Sequence, residues 1–265
     1  MPANPLYENA PIALVLLEVR HPEAEVPTGA TLAALKHALG ATHPVQRTEQ
    51  GIELNLQTGE RTPVVAHKLI ARDLHSAISF REDAMVIETT DYRGWDWFRG
   101  IAKDLLVARQ DITPVDGFER IGLRYIDEVR VPSSSPVDWS EWVSASLLGP
   151  NEALASLGLR SEQQQGVVQY TTEDPGVSFT LRYGASRGSV IRSAPNLVRP
   201  IEPSDTEEFF LIDTDGAWSD PKGAVPEFDL GTVLETCDRL HAPIRELFEM
   251  LITEKLRSEV LRNAG

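Results

Sequence analysis

The residues best suited to chemistry gather on one predicted strand, RIGLRYIDEVR, residues 120–130. Taking every second position, Ile121, Leu123, Tyr125, Val129 and then Val131 form an apolar face, and Asp127 stands among them. A carboxylate on a buried face is costly unless it is paired. Asp127 therefore marks the point where the strand leaves the core, or bonds nearby backbone N–H groups, or belongs to a site. The alternate face carries Arg120, Arg124, Glu128 and Arg130, broken by Ile126. That pattern fits a solvated face with cross-strand ion pairs, and it would also receive an anion or an acidic partner.

A second strand, PIALVLLEVR (11–20), repeats the design. Ile12 matches Ile121, Leu14 matches Leu123, Leu16 matches Tyr125, Leu17 matches Ile126 and Glu18 matches Asp127. On this match the two acids end equivalent apolar runs, or frame one shared cleft. The candidate binding residues are Glu18, Arg120, Arg124, Tyr125 and Asp127; no catalytic residue is assigned.

Several other chemistries lack their residues. The six histidines include no HExxH and no HxH, and the sequence shows no zinc-type Cys/His cluster, so no metal site is expected. There is no GxSxG elbow and no GxGxxG; GASRGS (184–189) lacks the spacing and lysine of a phosphate loop and reads as a hairpin turn. DTDG (213–216) opens like a calcium loop, but Ala217 and Ala224 stand where ligands belong. Cys237 lies on an apolar helical seam, as a buried structural thiol does. No cofactor is expected.

These residues sit in a chain of 265 residues with a net charge of -15, from 40 acidic and 25 basic side chains. Such an excess disfavours a nucleic-acid partner, whose binding needs Lys and Arg, and an anionic membrane surface. It suits solubility or a basic protein partner. One cysteine rules out an internal disulfide. The N-terminal stretch has no signal-peptide character, and a cytoplasmic location is expected.

The elements that position the site alternate in a regular order. After the first strand, TLAALKHALG (31–40) reads as a helix, with Thr28 or Thr31 at its start and Gly40 as its stop. GIELNLQ, HKLIARD, AISFR and AMVIETTDY read as strands, with a hairpin turn at Glu82 and Asp83. An amphipathic helix follows over about 94–110. After strand 120–130, VPSSSPVDWSEWV is a loop into a helix, with Asp138 and Glu141 spaced as a capping box. GVVQYTTED, VSFTLRYG, SVIRS and EEFFLIDTD then read as strands. The tail from about Asp229 to Arg262 reads as one long helix, kinked at Pro243.

RIGLRYIDEVRV, the NAPI start of the first strand, TTDY followed by Trp95 and Phe98, IDTD, and LFEMLITEKLR together resemble a sporadically distributed bacterial family of uncharacterised proteins. Its strand signature is similar to RxGLRYxN, with Asp127 in place of the Asn. The likeness covers nearly the whole chain and carries over no catalytic residues.

The expected fold is α+β: an antiparallel-rich sheet in two pseudo-repeated β-α-β(n)-α halves, residues 1–115 and 116–265, forming one compact unit with a long C-terminal helix. The leading functional expectation is a non-enzymatic cytoplasmic bacterial protein that binds another protein, in the manner of an antitoxin or immunity factor, with a homodimer through the long helix as a further option. The rival is a small-molecule-binding or enzymatic domain with a cleft between the halves.

Overall fold

In the computed structural model, residues 7–54, 61–132, 136–149, 157–158 and 163–262 are described. The predicted positions 55–57 of the second strand and 133–135 of the loop after strand 120–130 lie outside them. The chain runs β1 (Ile12–Arg20), α1 (Gly29–Leu39), β2 (Val45–Leu54), β3 (Arg61–Ile70), β4 (Ser76–Phe80), β5 (Ala84–Thr89), α2 (Trp95–Ile112) and β6 (Arg120–Val129). It continues through β7 (Gly166–Thr171), β8 (Val177–Arg187), β9 (Glu208–Ser219), α3 (Leu230–Leu251) and the single turn α4 (Glu254–Leu256). The fold is α+β with a long helix near the C-terminus.

Among the described residues nine strands form one antiparallel sheet in the order β2-β3-β4-β5-β1-β6-β9-β8-β7. The strands that carry the candidate residues, β1 and β6, lie side by side at its centre, Val15 opposite Tyr125 and Leu17 opposite Leu123. Side chains alternate between faces. Val15, Leu17 and Val19 of β1 and Ile121, Leu123 and Tyr125 of β6 face the helices, in one core with Leu35 of α1, Leu105 of α2 and Leu240 of α3. At the β6 exit this face is covered by Trp139, Trp142 and Leu256, packed on Val129, Phe210 and Ile212. Gly216 of β9 allows α3 to approach: a Cβ there would come within 2.7 Å of the Phe179 ring and 3.3 Å of Ile244.

The residue-by-residue match between β1 and β6 is overturned. Leu14 pairs with Ile126 on the helix-free face, whereas Leu123 lies in the helix-side core. A bulge between Ile12 and Leu14 shifts the register by one, and one residue of slip turns every following side chain to the other face. Glu18 and Asp127 therefore lie on opposite sides of the sheet.

Three local expectations also change. SVIRS is not a strand but part of the long connection from β8 to β9, where Glu128 takes its hydrogen bonds. DWSEW forms only a 3-10 turn, Trp139–Glu141, with Asp138 accepting from the Ser140 N–H rather than closing a capping box. The tail helix ends at Leu251 and resumes as α4 and a π-turn, Arg257–Leu261; Pro243 is carried inside α3.

Candidate functional site

On the helix side, where α2 begins and α3 passes over β6, the structure leaves a cleft of about 430 Å³. Its walls come from the segment entering β1, the loop from β5 into α2, β6, and the middle of α3. Residues from both sides of position 115 line it.

Tyr125 and Asp127 form the floor, 6% and 5% exposed. Both are there because β6 alternation aims them at the helices. The Tyr125 hydroxyl donates to Tyr92 Oη at 2.9 Å. That leaves Tyr125 Oη to accept from His241 Nδ1, 3.1 Å away, in the neutral tautomer protonated at Nδ1. His241 is held flat against Trp95, with ring centroids 4.2 Å apart and planes 8° from parallel. Trp95 is fixed in turn by its indole N–H, which donates to Asp238 at 2.8 Å, and Asp238 also receives Arg99 through two nitrogens. Asp238 and His241 are three residues apart on α3 and so share a face.

Asp127 differs from all of these. Its carboxyl makes no side-chain hydrogen bond to any described residue, yet it lines the cleft. Burial, and then the negative charge of Asp213, push its pKa from 3.8 to about 8. Burial and the nearby Arg245 lower His241 to about 4, so the imidazole is neutral at pH 7. Burial raises Tyr92 to about 12 and Tyr125 well above its usual value. The floor thus offers a neutral phenol–phenol–imidazole chain beside a carboxyl that titrates near neutrality. Such a carboxyl can donate a hydrogen bond when protonated, take a cation when ionised, or exchange a proton with a bound molecule.

The opposite face holds the remaining predicted residues in a different arrangement. Glu18 accepts from Arg20 and Arg120, each at 2.9 Å, and Arg120 also faces Asp215 at 3.7 Å. Arg124 grips Asp213 through two bonds of 2.8 and 2.7 Å, with Arg182 at 3.7 Å. Glu128 is fully enclosed. It accepts from Arg130, Arg199, Ser189 and the backbone N–H groups of Val190 and Ile191. This pins the β8–β9 connection across that face, and its far end reaches His75 and Thr90 through the Val198 carbonyl.

Of the five predicted site residues, then, the structure joins Tyr125 and Asp127 in one cleft and places Glu18, Arg120 and Arg124 across the sheet in ion pairs. Sequence reasoning missed Tyr92, Trp95 and His241. The first two lie in the TTDY…W segment that enters α2. His241 stands beside the apolar seam of α3, between Leu240 and Ile244, where a histidine reads as a filler of the core. Comparison with protein-family models and with curated proteins returned no match.

Proposed function

We propose that the cleft above β6 is a binding site for a small organic molecule, with Asp127 as its polar anchor. One observation carries this reading: a buried carboxyl without a hydrogen-bond partner among the described residues opens into a cavity walled by aromatic rings. Small-molecule sites are mostly apolar hollows with a few well-placed polar groups, and buried ionisable groups with displaced pKa values concentrate in such sites. The protein-binding expectation rests on the net charge of -15 and on the sporadic distribution of the family that the chain resembles; the cleft gives the small-molecule reading a volume and a named carboxyl. A duplicated origin of the halves belongs to the same proposal, supported by a strand order in which the first strand of each half sits centrally beside the last strand of that half.

The test is a thermal-shift screen of the purified protein with a library of small metabolites, repeated on Ile12→Trp, which fills the cleft from β1. A true ligand at a hundred times its Kd adds about 2.7 kcal/mol to the parent and nothing to the filled variant. If no compound stabilises the parent more than the filled variant, the proposal is wrong.

A further inference from the structure

We propose that the molecule this cleft recognises is an organic ammonium ion, its charge seated on Asp127 and its apolar body lying among Tyr92, Trp95, Trp97 and Phe248. The inference rests on the small-molecule reading of the cleft and names the ligand class.

The floor decides the sign of the ligand's charge. An ionised carboxylate buried without a counter-charge is strongly disfavoured, and a cation that hydrogen-bonds to it recovers the most free energy. Asp127 shares the floor of the cleft with the Tyr125 and Tyr92 hydroxyls and the neutral His241. None of these supplies a positive charge at pH 7. The walls include Tyr92, Trp95 and Trp97, and aromatic rings attract ammonium groups, the more so when water is excluded; one face of Trp95 is covered by His241 and one of Trp97 by Arg93. The negative charge of the whole molecule also draws cations toward it.

Groups of opposite preference stand at the rim. Arg93 and Arg245 are exposed there, and α2 begins at Trp95 without a side-chain cap. Arg93 is already engaged by Asp91 and Asp73, and its guanidinium lies over the Trp97 ring. Asp96 in the first turn of α2 offsets the positive end of that helix. Glu249 at the rim accepts from Tyr7 and Arg257. The rim is thus mixed in sign, while among the described residues the enclosed floor carries the Asp127 carboxyl as its one carboxylic acid.

Linkage gives the class a signature. An ammonium ion must displace the proton that Asp127 holds below about pH 8. Its affinity therefore climbs about tenfold per pH unit from about pH 6 and levels off above about pH 8. A ligand that accepts a hydrogen bond from the protonated acid shows the reverse, constant affinity that falls above about pH 8. Asp213 acts on this carboxyl from behind the strand; Tyr92, Tyr125, His241, Arg245, Arg93, Asp96, Tyr7 and Glu249 are the other titratable and charged groups of the cleft among the described residues, and of these His241 has its pKa lowered to about 4.

Three probes of nearly equal size separate the outcomes: phenethylammonium, 2-phenylethanol and phenylacetate, followed by calorimetry and by the fluorescence of the tryptophans. The expected result is that phenethylammonium binds at least tenfold more tightly than 2-phenylethanol at about pH 8, with the rising pH profile. In Asp127→Asn that preference disappears while 2-phenylethanol binding persists, which also shows that the variant is folded. If 2-phenylethanol or phenylacetate binds as tightly as the cation and Ile12→Trp blocks it, the cleft is a ligand site but the ammonium class is refuted. If none of the three binds in a manner sensitive to Ile12→Trp, both readings fall.

Discussion

Replacing Asp127 with asparagine should make the ligand-free protein more stable at neutral pH, although it removes a native polar residue. In the folded state burial raises this carboxyl from 3.8 to about 8. Between those values the folded chain holds a proton that the unfolded chain has released, so stability falls as pH rises through that window. Each pKa unit is worth 1.36 kcal/mol, so by about pH 7 the loss amounts to about 4 kcal/mol. Asparagine is nearly the same shape and cannot ionise. The difference in unfolding free energy, variant minus parent, should therefore be a constant offset well below about pH 4 that grows by about 4 kcal/mol toward about pH 7 and flattens above about pH 8. Urea titrations of both proteins, read by tryptophan fluorescence at several pH values, measure that difference directly. The other titrating groups are common to the two chains, so their contributions cancel apart from the coupling of Asp127 to Asp213 and Tyr125. A difference independent of pH would refute the reasoning, since it would mean that Asp127 ionises as readily in the fold as in water.

Glu128 should behave in the opposite sense. Burial pushes its pKa up, but the bonds from Arg199, Arg130 and the Ile191 N–H outweigh this and hold it below the usual value. Its stabilisation is present above about pH 4.5 and is lost as pH falls through the depressed folded value. Glu128→Gln removes the counter-ion of Arg199 and the shorter of the two ion pairs of Arg130, which keeps Glu207 at 3.7 Å, and should cost about 3–5 kcal/mol, with hydrogen exchange accelerating at residues 189–199 before the sheet opens. Arg124→Met leaves the Asp213 carboxylate, only 3% exposed, with Arg182 at 3.7 Å as its remaining cation, and should cost about 2–4 kcal/mol by urea unfolding, whereas Asp174→Ala, which breaks an exposed pair with Arg239, should cost less than about 1 kcal/mol. Cys237, whose thiol burial pushes up to about 12, should resist iodoacetamide in the folded protein and react only as fast as the chain unfolds.

Much of the architecture was legible because periodicity is a local property. The alternation in 120–130 placed Tyr125 and Asp127 on the apolar face and Arg120 and Arg124 on the other, and β6 shows that division. The spacing of Leu32, Leu35 and Leu39 marks the buried stripe of α1. The failures came where a short segment satisfies two descriptions. SVIRS has the composition of a strand, but its backbone N–H groups bond to Glu128, a residue about sixty positions earlier. The match of Leu14 with Leu123 failed because a single bulge, invisible in composition, reverses the faces of β1 after Ile12.

The sequence by itself determined that an acid lies on the apolar face of strand 120–130, that the alternate face is built of ion-pairing residues, and that the helices are amphipathic. Each of these follows from side-chain type and a period of two or 3.6 residues. Only the tertiary structure decided that Asp127 opens into a cleft while Glu18 lies across the sheet, and that Tyr92, Trp95 and His241 complete the walls. Those residues meet from elements up to about 150 positions apart in the chain. Their juxtaposition depends on how α2 and α3 cross the sheet, which no local pattern encodes.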